Sequence, residues 1–446
     1  MRLKLIADLG RGEQNGRTMR YAPINQELFR LNRGNLKKLL PPNSLAAVNA
    51  NDVLPVNGDA VLPLRQNSDF FYLTGIEQEE GLLLLCPDAQ EPKHREILFL
   101  RQPNPLLETW EGHKLTKEEA REISGVERVE WLGDFPALFH RLMCECAQVW
   151  LNSNENKRAQ VVVQSRDARF IQDAQERYPL HEYRRLAPLM HRLRAVKSGM
   201  EIALLRQACD ITEAGFRRVC RFVKPGVNEM EVEAEFSHEF LRRGGRFAYS
   251  PIIAGGRNAC ALHYSRNDQP CRKGELLLLD VAASYANYNA DMTRTLPVSG
   301  RFSRRQRQVY NAVLRVLRAA SRAARPGKLP RDWQTEAEQW VEKELVDLGL
   351  LTLAEIKKQN PEDKAFRKYF MHGAGHPLGL DVHDLAPTAE PMQAGWVLTV
   401  EPAIYIREEG LGVRLENNIV VQEGGNKDLM EKIPIEADEV EELMRR

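Results

Sequence analysis

The chain has 446 residues, with 63 Lys and Arg against 62 Asp and Glu for a formal net charge of +1. A hydrophobic fraction of 43% beside 28% charged residues is an ordinary globular composition, which excludes wholesale disorder, a collagen-like fibre and a disulfide scaffold. The balanced charge argues against a polyanion such as nucleic acid as the main partner.

No apolar run approaches the roughly 18 residues needed to span a bilayer, so no membrane partner is expected; the longest runs, 82–86 and 276–280, have strand length. At the N-terminus, MRLKLIADLGRGEQNG, the apolar stretch is broken by Asp8, Arg11 and Glu13, and no signal peptide is expected. The seven cysteines (86, 144, 146, 209, 220, 260, 271) are odd in number and form no CxxC pair. They read as free thiols in a reducing compartment, the cytoplasm. Cys144 and Cys146 lack two further metal ligands nearby.

Down to about residue 190, short apolar strands alternate with helices. Residues 68–73 (SDFFYL), 81–86 (GLLLLC) and 96–101 (EILFLR) have the length and composition of strands, and 117–123 and 137–146 read as helices. This predicts a mixed α/β domain over 1–190, with helices flanking a sheet. A second region, 191–446, follows. From 199 to 223 the residues Ile202, Leu205, Cys209, Phe216, Val219 and Val223 mark one face of a long helix, which Pro225-Gly226 stops. Asn228 and Glu231 form a capping-box pattern for the next helix, which ends at Gly244-Gly245. Residues 251–254 and 275–281 are strands. Ser303 with Gln306 opens a helix to about Arg325, and Pro330 opens another to about Leu348. Residues 397–400 and 418–421 are strands again. Two helices and a hairpin thus occur twice, and the whole chain is of the α/β (α+β) class.

Both hairpins carry paired carboxylates. The leucine run 276–279 delivers Asp280, and Asp291 sits on the returning segment DMTRT; residues 397–400 deliver Glu401, and Glu416 returns in RLENNIVV. Antiparallel pairing puts each pair within reach, and a carboxylate ending four leucines needs a partner if buried. Three of the ten histidines, His372, His376 and His383, fall in MHGAGHPLGLDVHD, interleaved with Gly373, Gly375 and Gly379. There is no HExxH, and the glycine spacing does not fit GxGxxG. A lone strand-end Asp is more often a turn residue, and a lone His a surface or core residue. The joint occurrence of four carboxylates and a histidine cluster outweighs that bland reading. Four converging carboxylates repel by several kcal/mol unless cations lie between them. Two divalent ions would neutralise them, and oxygen-rich ligation with one imidazole suits Mn²⁺, with Co²⁺, Zn²⁺ or Fe²⁺ as alternatives.

The segments LHYSRND (262–268), LLLLDVAASYANYNADMTRTLPVSGRFS (276–303), MHGAGHPLGLDVHD (371–384), VLTVEPAIYI (397–406) and GVRLENNIVV (412–421) resemble the pita-bread metallopeptidases, and within them the aminopeptidase P family. QNSDFFYLTGIEQEEGLLLL (66–85) resembles that family's creatinase-like N-terminal domain. The resemblance implies a creatinase-like N-terminal domain over 1–190, serving oligomerisation and the rim of the substrate site, and a pita-bread catalytic domain over 191–446. It implies hydrolysis of the N-terminal Xaa-Pro bond of peptides by a water bridging two metal ions. The ligands so implied are Asp280, Asp291, His376, Glu401 and Glu416, with Asp291 and Glu416 shared between the ions. His263, His372 and His383 match histidines lining the substrate site, and Arg414 an arginine behind the cluster. Glu401 would be the general base, and His383 the hydrogen-bond donor to the scissile carbonyl.

The stretch Glu108–Gly112 (ETWEG) resembles a loop whose Trp approaches a neighbouring subunit, which implies a homo-oligomer, but His113-Lys114 depart from the family's pattern and leave dimer and tetramer both open. Rival readings are a prolidase restricted to Xaa-Pro dipeptides, a metal-free creatinase, which the intact ligand set opposes, and a non-catalytic binding protein using the arginine-rich helix 301–325. The apolar stripe Val309, Val313, Val316, Leu317 and Ala320 makes that helix an ordinary packed one with a solvated basic face.

Overall fold

The computed structural model describes residues 20–159, 162–360 and 362–445, with two short strands at Glu13–Gln14 and Arg17–Thr18. Residues 1–12, part of the stretch read above for a signal peptide, lie outside the described residues. Two compact units are present, Met1–Leu193 and Arg194–Arg446. Among the described residues no helix is long and apolar enough to cross a membrane.

The first unit is built on a six-stranded mixed sheet, in the order Val129–Trp131, Glu96–Leu100, Leu82–Leu85, Ser44–Asn49, Gln148–Leu151, Glu182–Arg185. The central strands are buried on both faces, which is why Leu82–Leu85 and Glu96–Leu100 read as continuous apolar runs rather than alternating ones. One face packs Leu45, Leu84, Ile97 and Phe99 against Phe139, Leu142 and Met143 of the helix Phe135–Glu145.

Residues 68–73 are not a strand. They lie in the helix Ser68–Thr74, capped by Asn67, whose Oδ1 accepts the Asp69 and Phe70 N–H groups at 3.0 and 3.1 Å. Gly75 ends the helix at φ 69°, and a Cβ there would lie 2.3 Å from the Phe29 ring, so glycine is required twice over. Phe70, Phe71, Tyr72 and Leu73 are all buried. Their aromatic composition reflects a helix enclosed on every side rather than a pleated surface.

In the second unit the helices Gly199–Phe222, Glu229–Arg242 and Arg304–Ala323 begin at capping boxes formed by Ser198/Glu201, Asn228/Glu231 and Ser303/Gln306. Four arginines of Arg304–Ala323 are engaged by acids: Arg305 by Glu409, Arg307 by Asp438 and Glu441, Arg315 by Glu344 and Arg318 by Glu436. The apolar stripe of this helix faces a core that includes Trp333, Val341, Leu345, Trp396 and Val400.

Strands Leu276–Asp280 and Thr293–Pro297 pair antiparallel, with Asp280 opposite Thr293; Val397–Val400 pairs with Asn417–Val420, with Val400 opposite Asn417. Each pair carries a second hairpin at its tip. Ala283–Tyr285 with Tyr288–Asn289 turns through Ala286 and Asn287 at φ 49° and 65°; Ala403–Ile406 pairs with Leu411–Arg414. Both carboxylate pairs therefore lie where a long hairpin gives way to a shorter one.

Candidate metal centre

The two hairpins are laced together at this point. Asn418 brackets the backbone of Asp291, its Oδ1 accepting the Asp291 N–H at 3.0 Å and its Nδ2 donating to the Asp291 carbonyl at 2.6 Å. The Glu416 N–H donates to the Thr293 carbonyl at 3.0 Å, and the Thr293 hydroxyl donates to Glu416 Oε2 at 2.7 Å. Register in the two sheets thus fixes where both buried carboxylates sit.

The histidine segment is stitched to the second hairpin. The His376 N–H donates to Thr399 Oγ1 at 3.0 Å, the Thr399 N–H to the His376 carbonyl at 2.8 Å, and the Glu401 N–H to the Ala374 carbonyl at 2.8 Å. A Cβ on Gly375 would lie 2.1 Å from the Thr399 carbonyl oxygen, so only glycine permits this approach. The Nδ1 of His376 lies 2.9 Å from the Pro377 carbonyl, which commits it as the donor and turns Nε2 toward Asp291 Oδ2 at 3.4 Å and Glu401 Oε1 at 3.7 Å.

Asp291, His376 and Glu416 each offer a ligand atom within 4.8 Å of the others, and all three are buried. Glu401 adjoins this trio through His376. Asp280 is not one of the trio: its oxygens are held by Arg414 Nη2 at 2.5 Å and by the Tyr249 hydroxyl at 2.6 Å.

The electrostatics are those of crowded negative charge. Burial, then Asp291, Glu401 and Asp280, push the Glu416 carboxyl well above the usual range. Burial also raises Glu401 to about 7; His376 opposes the rise and Asp291 adds to it. Asp280 is raised by burial even though Arg414 pulls the other way. For His376, burial alone would lower the pKa, but its hydrogen bond to Asp291 and the charges of Glu401 and Asp291 outweigh that and raise it. An imidazole whose Nδ1 is already committed, facing two carboxylates through Nε2, calls for a proton or a cation between them. Hard carboxylate oxygens with one imidazole are a donor set for divalent ions.

Around this centre, Arg414 Nη1 donates to the Tyr405 hydroxyl at 2.6 Å, leaving the Tyr405 O–H for His372 Nε2 at 2.9 Å. Arg414 Nε also donates to Thr293 Oγ1 at 3.0 Å. Burial and Arg414 depress His372 to about 4, so its ring is neutral. His372 Nδ1 lies 3.8 Å from Glu401 Oε2. The His383 ring meets the His376 ring edge-on, with centroids 4.1 Å apart. His263 is exposed. Its loop is anchored by Tyr264 on Glu229 at 2.7 Å and by buried Asn267 on Glu233 at 2.8 Å and on the backbone of Pro251 and Ile253. Sequence reasoning missed Tyr249, Thr293, Tyr405 and Asn418. Thr293 and Asn418 stand two residues from predicted ligands, whereas Tyr249 carries no local signal.

Comparison with known proteins bears on the whole chain. The profile of Metallopeptidase family M24 matches residues 203–423, and that of the aminopeptidase P N-terminal domain matches residues 29–150. A Xaa-Pro aminopeptidase of Haemophilus influenzae is 34% identical over 441 residues, covering 95% of this chain and 98% of that protein. Xaa-Pro aminopeptidase 3 of Homo sapiens is 32% identical over 408 residues, covering 88% and 79%. Among solved structures, zinc-substituted E. coli aminopeptidase P in complex with product superposes with a TM-score of 0.84 at 34% identity, covering 95% of this chain and all (100%) of that one.

Proposed function

The chain belongs to metallopeptidase family M24, and from that premise we propose that it is a metal-dependent aminopeptidase that removes an N-terminal residue preceding proline. The observation that carries this reading is the buried set Asp291, His376 and Glu416 beside Glu401, with the His376 tautomer fixed by Pro377. Asp280, Asp291, His376, Glu401 and Glu416 would hold two divalent ions. When bound, the ions supply the positive charge that keeps the carboxylates ionised and acidifies water for attack on the peptide carbonyl. Mn²⁺ is our choice for the native ion, with Co²⁺, Zn²⁺ or Fe²⁺ as alternatives.

The remaining chemistry belongs to side chains. Glu401 takes the proton of the attacking water and passes it to the departing proline nitrogen. His383 donates an N–H to the oxygen on which negative charge develops. His372, neutral and held by Tyr405, and His263 on its anchored loop line the substrate side. Arg414 holds Asp280 in place. A Xaa-Pro amide has no N–H and a constrained φ, so a protease that reads backbone N–H groups handles it poorly, and a dedicated site makes chemical sense. A cytoplasmic location is supported by the seven free thiols, which suit a reducing medium. Assembly as a homo-oligomer is supported by Trp110, 81% exposed on the helix Pro105–Glu111.

The test compares peptides with and without added Mn²⁺. Xaa-Pro-Yaa tripeptides should be cleaved at the first bond with a higher kcat/KM than Xaa-Pro dipeptides, and replacing Pro by Ala should cost at least about tenfold. Turnover of dipeptides alone would make the protein a prolidase, and equal rates with Ala would remove the proline specificity.

A further inference from the structure

Residues 377–384 are tied down by charges that the reaction above does not use. Asp384 accepts from Arg194 Nη2 and from Lys197 Nζ, the latter at 2.9 Å, and Arg194 also reaches Asp381 Oδ2 at 2.7 Å. The side chains of Arg194, Lys197 and Asp384 are only 2%, 1% and 1% exposed, so solvent does not screen their ion pairs, whereas Asp381 is 42% exposed. Two cations thus grip the carboxylates on either side of Val382-His383. The backbone is closed too. The Asp384 N–H donates to the Pro377 carbonyl at 2.9 Å, and Asn289 Nδ2 donates to the carbonyls of Gly379 and Leu380 at 3.0 and 2.8 Å. A Cβ on Gly379 would lie 2.1 Å from Asp384 Oδ2 and 2.9 Å from Lys197 Cε, so the ion pair occupies the space a side chain would need. The imidazole borne by this segment is the one packed against His376.

We propose that Lys197 and Arg194 are positioning residues for His383: by clamping Asp384 and Asp381 they set the imidazole of His383 against His376. Neither cation touches the reacting atoms; each acts through the segment that carries the histidine. The role given to His383 rests on the peptidase reading, whereas the clamp itself does not.

Lys197→Met is the informative change, because Arg194 remains on Asp384 and no carboxylate is stranded. In the full-length, metal-loaded enzyme, kcat for an Xaa-Pro-Yaa peptide should fall about tenfold, with KM held within about twofold. Lys197→Arg should restore most of the loss, and Lys197→Met added to His383→Ala should cost nothing further. A second readout needs no turnover: the ring Cε1–Hε1 NMR signal of His383, assigned by its loss in His383→Ala, should shift or broaden in Lys197→Met while those of His113 and His181 stay in place. If Lys197→Met does not fold, Asp384→Asn, which keeps an acceptor oxygen, must show the same coupling. Equal kcat losses with and without His383, or an unmoved His383 signal, would overturn the proposal. A wild-type enzyme that cleaves no Xaa-Pro peptide would instead sink the peptidase reading, and the NMR comparison would still decide the clamp.

Discussion

Glu401→Gln should make the metal-free protein more stable and the enzyme nearly inactive. The substitution keeps the shape and leaves the backbone N–H on the Ala374 carbonyl, but removes a charge 3.7 Å from His376 Nε2. In the fold this carboxyl is raised from 4.5 to about 7, chiefly by burial. A raised acid pKa contributes stability that is fully present below about pH 4.5 and is lost as pH rises through about 7. A difference of that size corresponds to about 3 kcal/mol. One-fifth of the side chain is open to solvent, and screening trims this to about 2 kcal/mol. Urea unfolding of chelator-treated protein at pH 4.5 and pH 8 measures it: the variant should gain about 2 kcal/mol over wild type at pH 8 and little at pH 4.5. With metal restored, kcat should fall by about 10²–10⁴, the worth of a general base, or by more because the side chain is also a candidate ligand. A variant no more stable than wild type at pH 8 would mean that burial does not penalise this charge, and one turning over near the wild-type rate would remove Glu401 as the base.

Gly375→Ala forces a Cβ to within 2.1 Å of the Thr399 carbonyl and should cost about 1–3 kcal/mol and lower metal occupancy at neighbouring His376, whereas Gly373→Ala, whose nearest atom is 3.7 Å away, should stay within about 1 kcal/mol; urea midpoints and elemental analysis separate the two. In the first unit, burial, aided by Asp69, lifts the Asp167 carboxyl from 3.8 to about 7 despite its 2.8 Å hydrogen bond from Asn49. Its stabilising contribution is lost as pH rises through about 7, so Asp167→Asn should gain up to about 4 kcal/mol above pH 7 and nothing near pH 4, read from unfolding curves at the two pH values.

Much of this was legible because the signals are local. Asn228/Glu231 and Ser303/Gln306 start helices through bonds made within four residues, and the carboxylates stand beside the strand runs that place them. Residues 68–73 misled because aromatic, β-prone composition also marks a helix enclosed on all sides, and the true signal was the Asn67 cap with Gly75. The tip hairpins were illegible because their strands are only two to four residues long and buried throughout, too short to show an alternating period. Partners far apart in the chain carry no local signal: Arg414, which meets Asp280 across 134 residues, was placed behind the cluster only through the family resemblance, and Lys197, which meets Asp384 across 187, was not read at all. Asp280 shows the limit at the site itself, since its position in the sequence says nothing of Tyr249 and Arg414, which claim both its oxygens.

Binding of two divalent ions by four carboxylates and one imidazole for peptide hydrolysis can be decided by measuring bound metal per chain and Xaa-Pro-Yaa cleavage on the same samples of wild type and Asp291→Asn. About two ions per wild-type chain are expected after Mn²⁺ loading, with both metal and activity falling together in the variant. Full wild-type activity after exhaustive chelation, with no metal detected by elemental analysis, would contradict it.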